Sequence, residues 1–319
     1  MSFTRNIEID DDVRAEVSSA DLNLKEMEYC VLSPQVELRL LVANNPSLTP
    51  QFIKWMSSDI EHTVRATIAR NSNLDPSSAL ALASDSHIAV VSAAAENPNL
   101  AASKLAELSG HRSYIVRTEV AKNPSTPLKI LEILSKDSEW GVRGGVGSNP
   151  ASSKELLKIL SSDQINEVQV SVAGNANTEM SVLEELWNNA PATRSSIIKN
   201  PTCSEIFLKS IYQNALLPED DQDDTWDDDI RGDTDTRSAI AQRPDLSIEF
   251  LKILVVDPSH YVRRDLAENK ILTDEFLSQL ALDINEAVRQ AVVENPNSSA
   301  ESKAAATLLG LPAKEDFDE

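Results

Sequence analysis

Apolar positions in this chain recur at a spacing longer than any single helix or strand. The pattern Val-Arg-x-x-Val-Ala-x-Asn-Pro returns, with variations, along most of the length. Its asparagine falls at Asn45, Asn71, Asn97, Asn123, Asn149 and Asn175, each 26 residues after the last. Asn200 comes one residue early. The register then jumps 43 positions to Arg243 and resumes at Asn269 and Asn295. Ten repeats thus run from about residue 33 to residue 310, with an insertion after the seventh. Self-similarity at such a period is the signature of a stacked-repeat architecture.

Seven residues before the asparagine lies Leu38, Val64, Val90, Val116, Val142, Val168, Thr193, Thr236, Val262 or Val288. With apolar residues four and five positions later, this column predicts one face of a short helix. The last of these positions is a small alanine in most repeats (Ala43, Ala69, Ala95, Ala121), which lets a neighbouring backbone come close. Asparagine followed by proline should end that helix: asparagine tolerates the left-handed conformation common past a C-terminus, and proline cannot continue the ladder. Thr49, Asp75, Ser153, Ser247 and Thr273 are placed to cap a second helix. Its buried ridge is a leucine pair three residues apart, as at Leu105 and Leu108 or Leu157 and Leu160. Neither short helix could bury its face alone, so stacking of neighbours must fold the chain. The expected class is all-α, a solenoid of about ten two-helix repeats. Around it stand an acidic N-terminal cap (1–32), repeats one to seven (33–214), an acidic insertion loop (215–235), repeats eight to ten (236–310) and an acidic tail (311–319).

These columns resemble the leucine-rich repeat variant family, which shares the Val-Arg-x-x-Val-Ala-x-Asn-Pro core, and are similar to HEAT repeats, where an Asp precedes a Val-Arg pair. The resemblance spans about 280 residues. It implies a right-handed superhelix of paired helices and a binding role. The N-terminal cysteine cluster that holds an iron–sulfur centre in that family is missing, since Cys30 stands alone, and no cofactor is expected.

Composition narrows the function. Acidic residues number 51 against 29 basic, a net charge of −22, which repels phosphate backbones and anionic membranes. The expected partner is therefore a basic protein, with no direct nucleic-acid or membrane contact. Aromatics make up 4% of the chain, so the core is aliphatic. Two cysteines are too few for a disulfide framework or a thiolate metal site, and no signal peptide or long apolar run is visible; a cytoplasmic location is expected. No metalloprotease-type His pairing or phosphate-cradling glycine loop occurs, which predicts a protein that is not an enzyme.

Candidate binding residues lie where the repeat departs from its own rule. The Asp column (Asp59, Asp137, Asp257, Asp283) six residues before Arg65, Arg143, Arg263 and Arg289 recurs too regularly for a ligand site and reads as an internal ladder. The column two residues before the Val varies instead. It contains His62, Tyr114, Trp140 and His260, with Tyr114 and Trp140 in adjacent repeats at expected helix starts. Amphipathic aromatics in such a row suit protein recognition. Gly141, Gly144, Gly145 and Gly147 surround Arg143 in the fifth repeat, a cost of about 1 kcal/mol each in a helix. Close backbone approach or a bend is the simplest account. The insertion 218–235 holds ten acidic residues, with Trp226 amid Asp223, Asp224, Asp227, Asp228 and Asp229; it reads as solvated chain or as bait for a basic partner. The alternative is a HEAT-like nucleic-acid enzyme. Some such solenoids are alkylpurine DNA glycosylases, and Trp140 with Asp137 and Arg143 superficially resembles their groove.

Overall fold

The computed structural model describes residues 9–19, 22–216 and 233–308. Twenty-two α-helices are found among them, in eleven consecutive pairs, and no strand. The chain divides into two compact units, 1–177 and 178–319, a boundary that falls inside the sixth repeat.

In the first unit the leading helices of successive pairs are α1 (Asp11–Ser18), α3 (Val36–Ala43), α5 (His62–Ala69), α7 (Ile88–Glu96), α9 (Tyr114–Lys122), α11 (Trp140–Ser148) and α13 (Asn166–Gly174). Their followers are α2 (Leu24–Val31), α4 (Pro50–Met56), α6 (Pro76–Leu82), α8 (Ala102–Leu108), α10 (Leu128–Leu134) and α12 (Lys154–Leu160). The second unit holds α14 (Met180–Asn189), α15 (Arg194–Lys199), α16 (Glu205–Ala215), α17 (Thr234–Ala241) and α18 (Ile248–Leu254). It closes with α19 (His260–Glu268), α20 (Asp274–Leu280), α21 (Glu286–Glu294) and α22 (Ala300–Leu308). Odd-numbered helices pack side by side within each unit, while even-numbered ones lie against the odd helices of their own and the following repeat. The early Asn200 is absorbed by a 3-10 turn, Pro191–Thr193, that leads into α15. No helix among the described residues is long and apolar enough to cross a membrane.

The core is built from the predicted columns. Val64, Val90, Val116, Val142, Val168, Val262 and Val288 are fully buried, as are the leucine ridge and the small alanines. The alanines let the odd helices approach, and burial of each Val and Leu contributes about 1.5–3 kcal/mol. Asp75, Ser153 and Ser247 cap their helices through side-chain bonds. Thr49 and Thr273 occupy the cap position without such a bond.

The asparagine column does something other than what its sequence position suggests. Its residues end the odd helices in extended conformation, with φ −70° and ψ 126° at Asn149, and not in the left-handed region. The column is occupied by asparagine for its amide. Nδ2 of Asn149 donates to Ala121 O at 2.6 Å and Asn123 O at 2.8 Å in the preceding repeat, while Oδ1 accepts from Ala151 N at 2.8 Å. Asn97, Asn123, Asn175, Asn269 and Asn295 make the same bracket, 28 and 26 residues back. A carboxylate could not donate there, and a shorter hydroxyl could not span both carbonyls. Where the column reads Arg243, its Nη1 reaches Ile198 O and Asn200 O, the equivalent pair across the insertion.

This bracket also corrects the N-terminal boundary. Asn45 Nδ2 donates to Val17 O and Ser19 O, again 28 and 26 residues back. Asp11–Ser18 and Leu24–Val31 therefore form a further helix pair in register with the others, where a separate acidic cap was expected. The insertion ends earlier than expected too: Asp233 Oδ1 accepts from Thr236 N at 2.9 Å and caps α17, so Thr234 and Asp235 belong to a helix. Asp223, Asp224, Trp226, Asp227, Asp228 and Asp229 lie outside the described residues, as does the 311–319 tail.

Candidate functional site

The repeated charges are spent on the scaffold. Six ladder arginines reach forward to the Asp opening the next repeat: Arg39 to Asp59, Arg65 to Asp85, Arg117 to Asp137, Arg143 to Asp163, Arg237 to Asp257 and Arg263 to Asp283. Five of these pairs have bonds from both Nε and Nη2 of 3.1 Å or less. Nη1 binds back to a carbonyl six residues upstream, as from Arg143 to Asp137 O at 2.8 Å. The carboxylate oxygen also accepts from the N–H two residues on, an Asx turn that starts the next odd helix. Hydrogen bonding to these guanidiniums holds Asp85, Asp137 and Asp163 below the usual carboxylate range. Arg143, expected on the binding surface, is committed inside this ladder. In repeat three both partners are replaced together, Val91 standing for the arginine and His111 for the aspartate.

Tyr114 and Trp140, by contrast, are 52% and 50% exposed and open α9 and α11. The structure brings them to one groove of about 470 Å³ between these two helices, which Thr118, Lys122, Glu139, Gly141, Gly144 and Ser148 also line. The four glycines of α11 divide into two kinds. A Cβ on Gly145 would lie 2.9 Å from Ala121 Cβ and 3.2 Å from Thr118 O, and one on Gly147 would lie 3.2 Å from Ser171 Cβ. These two are required by close approach of α9 and α13, as expected from the sequence. A Cβ on Gly144 would sit 3.5 Å from Ser171 Oγ, and on Gly141 3.8 Å from Thr118 Oγ1, both ordinary contacts. Packing does not demand glycine at either position. Their effect is to leave the groove open. Thr118 Oγ1 is buried at this floor without a hydrogen-bond partner.

His62 opens α5 and stacks on His87 of the next repeat, with ring centroids 3.7 Å apart and planes 23° from parallel. Sequence reasoning missed this pairing because the two occupy neighbouring columns of adjacent repeats; a spacing of 25 in a 26-residue repeat was the available signal. His260 lies against Tyr261 at 4.1 Å, and the Arg264 guanidinium sits 5.7 Å from the Tyr261 ring centre. Tyr261 and Arg264 line a second groove, about 400 Å³, between α17 and α19, together with Asp235, Gln242 and Asp265. Arg264 is paired there with Asp265 at 2.7 Å.

The remaining reactive groups are enclosed. Burial pushes the thiols of Cys30 and Cys203 up to about 11. Tyr212 donates its hydroxyl to Asp257 Oδ2 at 2.7 Å, beside the fully buried Arg237–Asp257 pair, while Arg237 Nη1 binds Ala215 O at 2.7 Å. This clasp joins the helices on either side of the insertion. Among the described residues, no group of three or more His, Cys, Asp or Glu side chains is arranged to hold a metal ion.

Neither a family model nor a curated protein matches the chain. Among solved structures it is similar to a leucine-rich repeat variant with a novel repetitive protein structural motif, 19% identical over 78% of this chain and 86% of that one, with a TM-score of 0.36.

Proposed function

We propose that this chain is a non-catalytic protein-binding scaffold, of adaptor or inhibitor type, whose odd-numbered helices present an acidic surface to a basic protein. The observation that carries this reading is the inward commitment of the repeat's guanidiniums. Six ladder arginines are neutralised by an aspartate, so the exposed charge beside them falls to carboxylates such as Glu139, Glu167, Asp235 and Glu286. Such a surface steers basic partners and repels nucleic acid. Asp137 and Arg143, which lent α11 a likeness to a glycosylase groove, are locked into separate ladder pairs, and this favours the protein-binding reading.

A pull-down comparing the intact chain with one lacking residues 218–235, with each prey identified, tests the proposal. Basic proteins should be retained and should elute as salt is raised. Neutral or acidic prey that persist at high salt overturn it, and retardation of duplex DNA in a low-salt gel shift restores the nucleic-acid alternative.

A further inference from the structure

The groove between Tyr114 and Trp140 is built as if one component were missing, and the chain itself shows what that component is. In the second groove, Arg264 stands two residues after the buried valine of its repeat, Val262, and places its guanidinium over the Tyr261 ring. The corresponding residue in repeat five, two after Val142, is Gly144. The neighbouring Asp265, which neutralises Arg264, corresponds to Gly145. Repeat nine thus carries its own cation and counter-ion on α19 beside its groove, whereas repeat five carries neither.

The aromatic walls around that space lack partners among the described residues. Every other tryptophan or tyrosine just described has one: Trp187 meets Phe207 and Arg194, Tyr212 meets Asp257 and Phe250, and Tyr261 meets His260 and Arg264. Among the described residues, the Tyr114 and Trp140 side chains have no ring contact, cation or hydrogen-bond partner. Electrostatics points the same way. Lys122, the cation lining the groove, is already paired with Glu119 at 3.4 Å, while the Glu139 carboxylate at the rim is exposed and forms no salt bridge, its charge felt by Arg117 and Arg143. Two bare glycine peptides that packing does not require and an unpartnered Thr118 hydroxyl complete the floor.

We infer that this groove receives an arginine side chain from a basic partner, its guanidinium stacked against Trp140 and Tyr114 and neutralised by Glu139. The inference rests on the reading that the odd helices bind a basic protein, and it names where and by what chemistry. Arginine suits the space better than lysine because its planar guanidinium stacks on aromatic faces, pairs bidentately with a carboxylate and is more weakly hydrated.

The test uses the full chain and two fluorescently labelled peptides, glycine–serine-spaced arginines and the same peptide with lysines, titrated by fluorescence polarisation. Wild type should bind the arginine peptide several-fold tighter than the lysine peptide. Trp140→Ala and Tyr114→Ala leave net charge unchanged, yet each should weaken arginine-peptide binding about tenfold and abolish the preference. Gly144→Arg, which installs the guanidinium that repeat nine already has, should have the same effect, and thermal melts of all three variants establish that they remain folded. Equal binding of the two peptides, or arginine binding unchanged in the folded aromatic variants, overturns the arginine site while leaving the acidic-surface reading in place. Failure of wild type to bind either peptide at low salt overturns both.

Discussion

Replacing Asn149 separates its structural role from that of a simple helix terminator. Asn149 is completely buried and makes three hydrogen bonds, two from Nδ2 to the preceding repeat and one to Oδ1 from its own loop. Asn149→Ala strands the Ala121 carbonyl and the Ala151 N–H and leaves Asn123 O with its bond from Thr126 N alone. At about 1–3 kcal/mol for each unsatisfied group, with partial relaxation, the expected loss is about 2–4 kcal/mol. Asn149→Asp has nearly the same shape and keeps the acceptor, so a terminator role would tolerate it. The bracket does not, because a carboxylate oxygen would face two carbonyl oxygens with no proton between them. At about pH 7 the aspartate variant should be at least as unstable as the alanine one. Its carboxyl pKa is raised on folding, so the folded state binds the proton more tightly than the unfolded chain. Stability relative to Asn149→Ala is then greatest below the unfolded value of about 3.9 and is lost as pH rises through the folded value, about 1.4 kcal/mol per unit in between. Urea unfolding of both variants at about pH 7 and about pH 5, followed by far-UV circular dichroism, measures this difference while the native ladder aspartates cancel. Wild-type stability in Asn149→Asp, or a gap between the variants that does not change with pH, would refute the bracket.

Three further outcomes follow from the ladder and the glycines. Arg117→Val and Asp137→His each orphan a partly buried charge, whereas the double variant copies the Val91 and His111 combination of repeat three; a double-mutant cycle in urea should show it at least about 1 kcal/mol more stable than the sum of the singles. Asp85, Asp137 and Asp163 have carboxyl pKa values lowered by Arg65, Arg117 and Arg143, so their stabilisation is complete above the unfolded value of about 3.9 and is lost as pH falls through the lowered folded values. A melting temperature followed against pH should therefore hold steady on descending to about pH 5 and fall steeply below about pH 4. Gly144→Ala should raise stability by up to about 1 kcal/mol through helix propensity, while Gly145→Ala, whose methyl would meet Ala121 Cβ at 2.9 Å, should lower it despite the same propensity gain; thermal melts distinguish the two.

The sequence by itself determined the period, the two helices of each repeat, the faces they bury and the register break after repeat seven. Those features depend on what each residue does alone: Val116 or Leu131 must leave water wherever its helix is placed, so their spacing already encodes the helix faces. It also determined that the Asp and Arg columns are scaffold. Which Asp each Arg meets depended on the stack, because the side chain crosses to the next repeat's Asp twenty residues on while its own repeat offers only a carbonyl. The same holds for the asparagines. Their position after each helix suggested a backbone role, but the amides of seven of them bind carbonyls 28 and 26 residues back, and that geometry exists only once one repeat lies on another. Stacking alone revealed that α1 and α2 form one more repeat, since Ser19 stands where the others have asparagine while its carbonyl still receives Asn45. In repeat five, the glycine cluster was visible from the start. Only the packed helices separated Gly145 and Gly147, which make room for a neighbouring helix, from Gly141 and Gly144, which leave room beside Trp140.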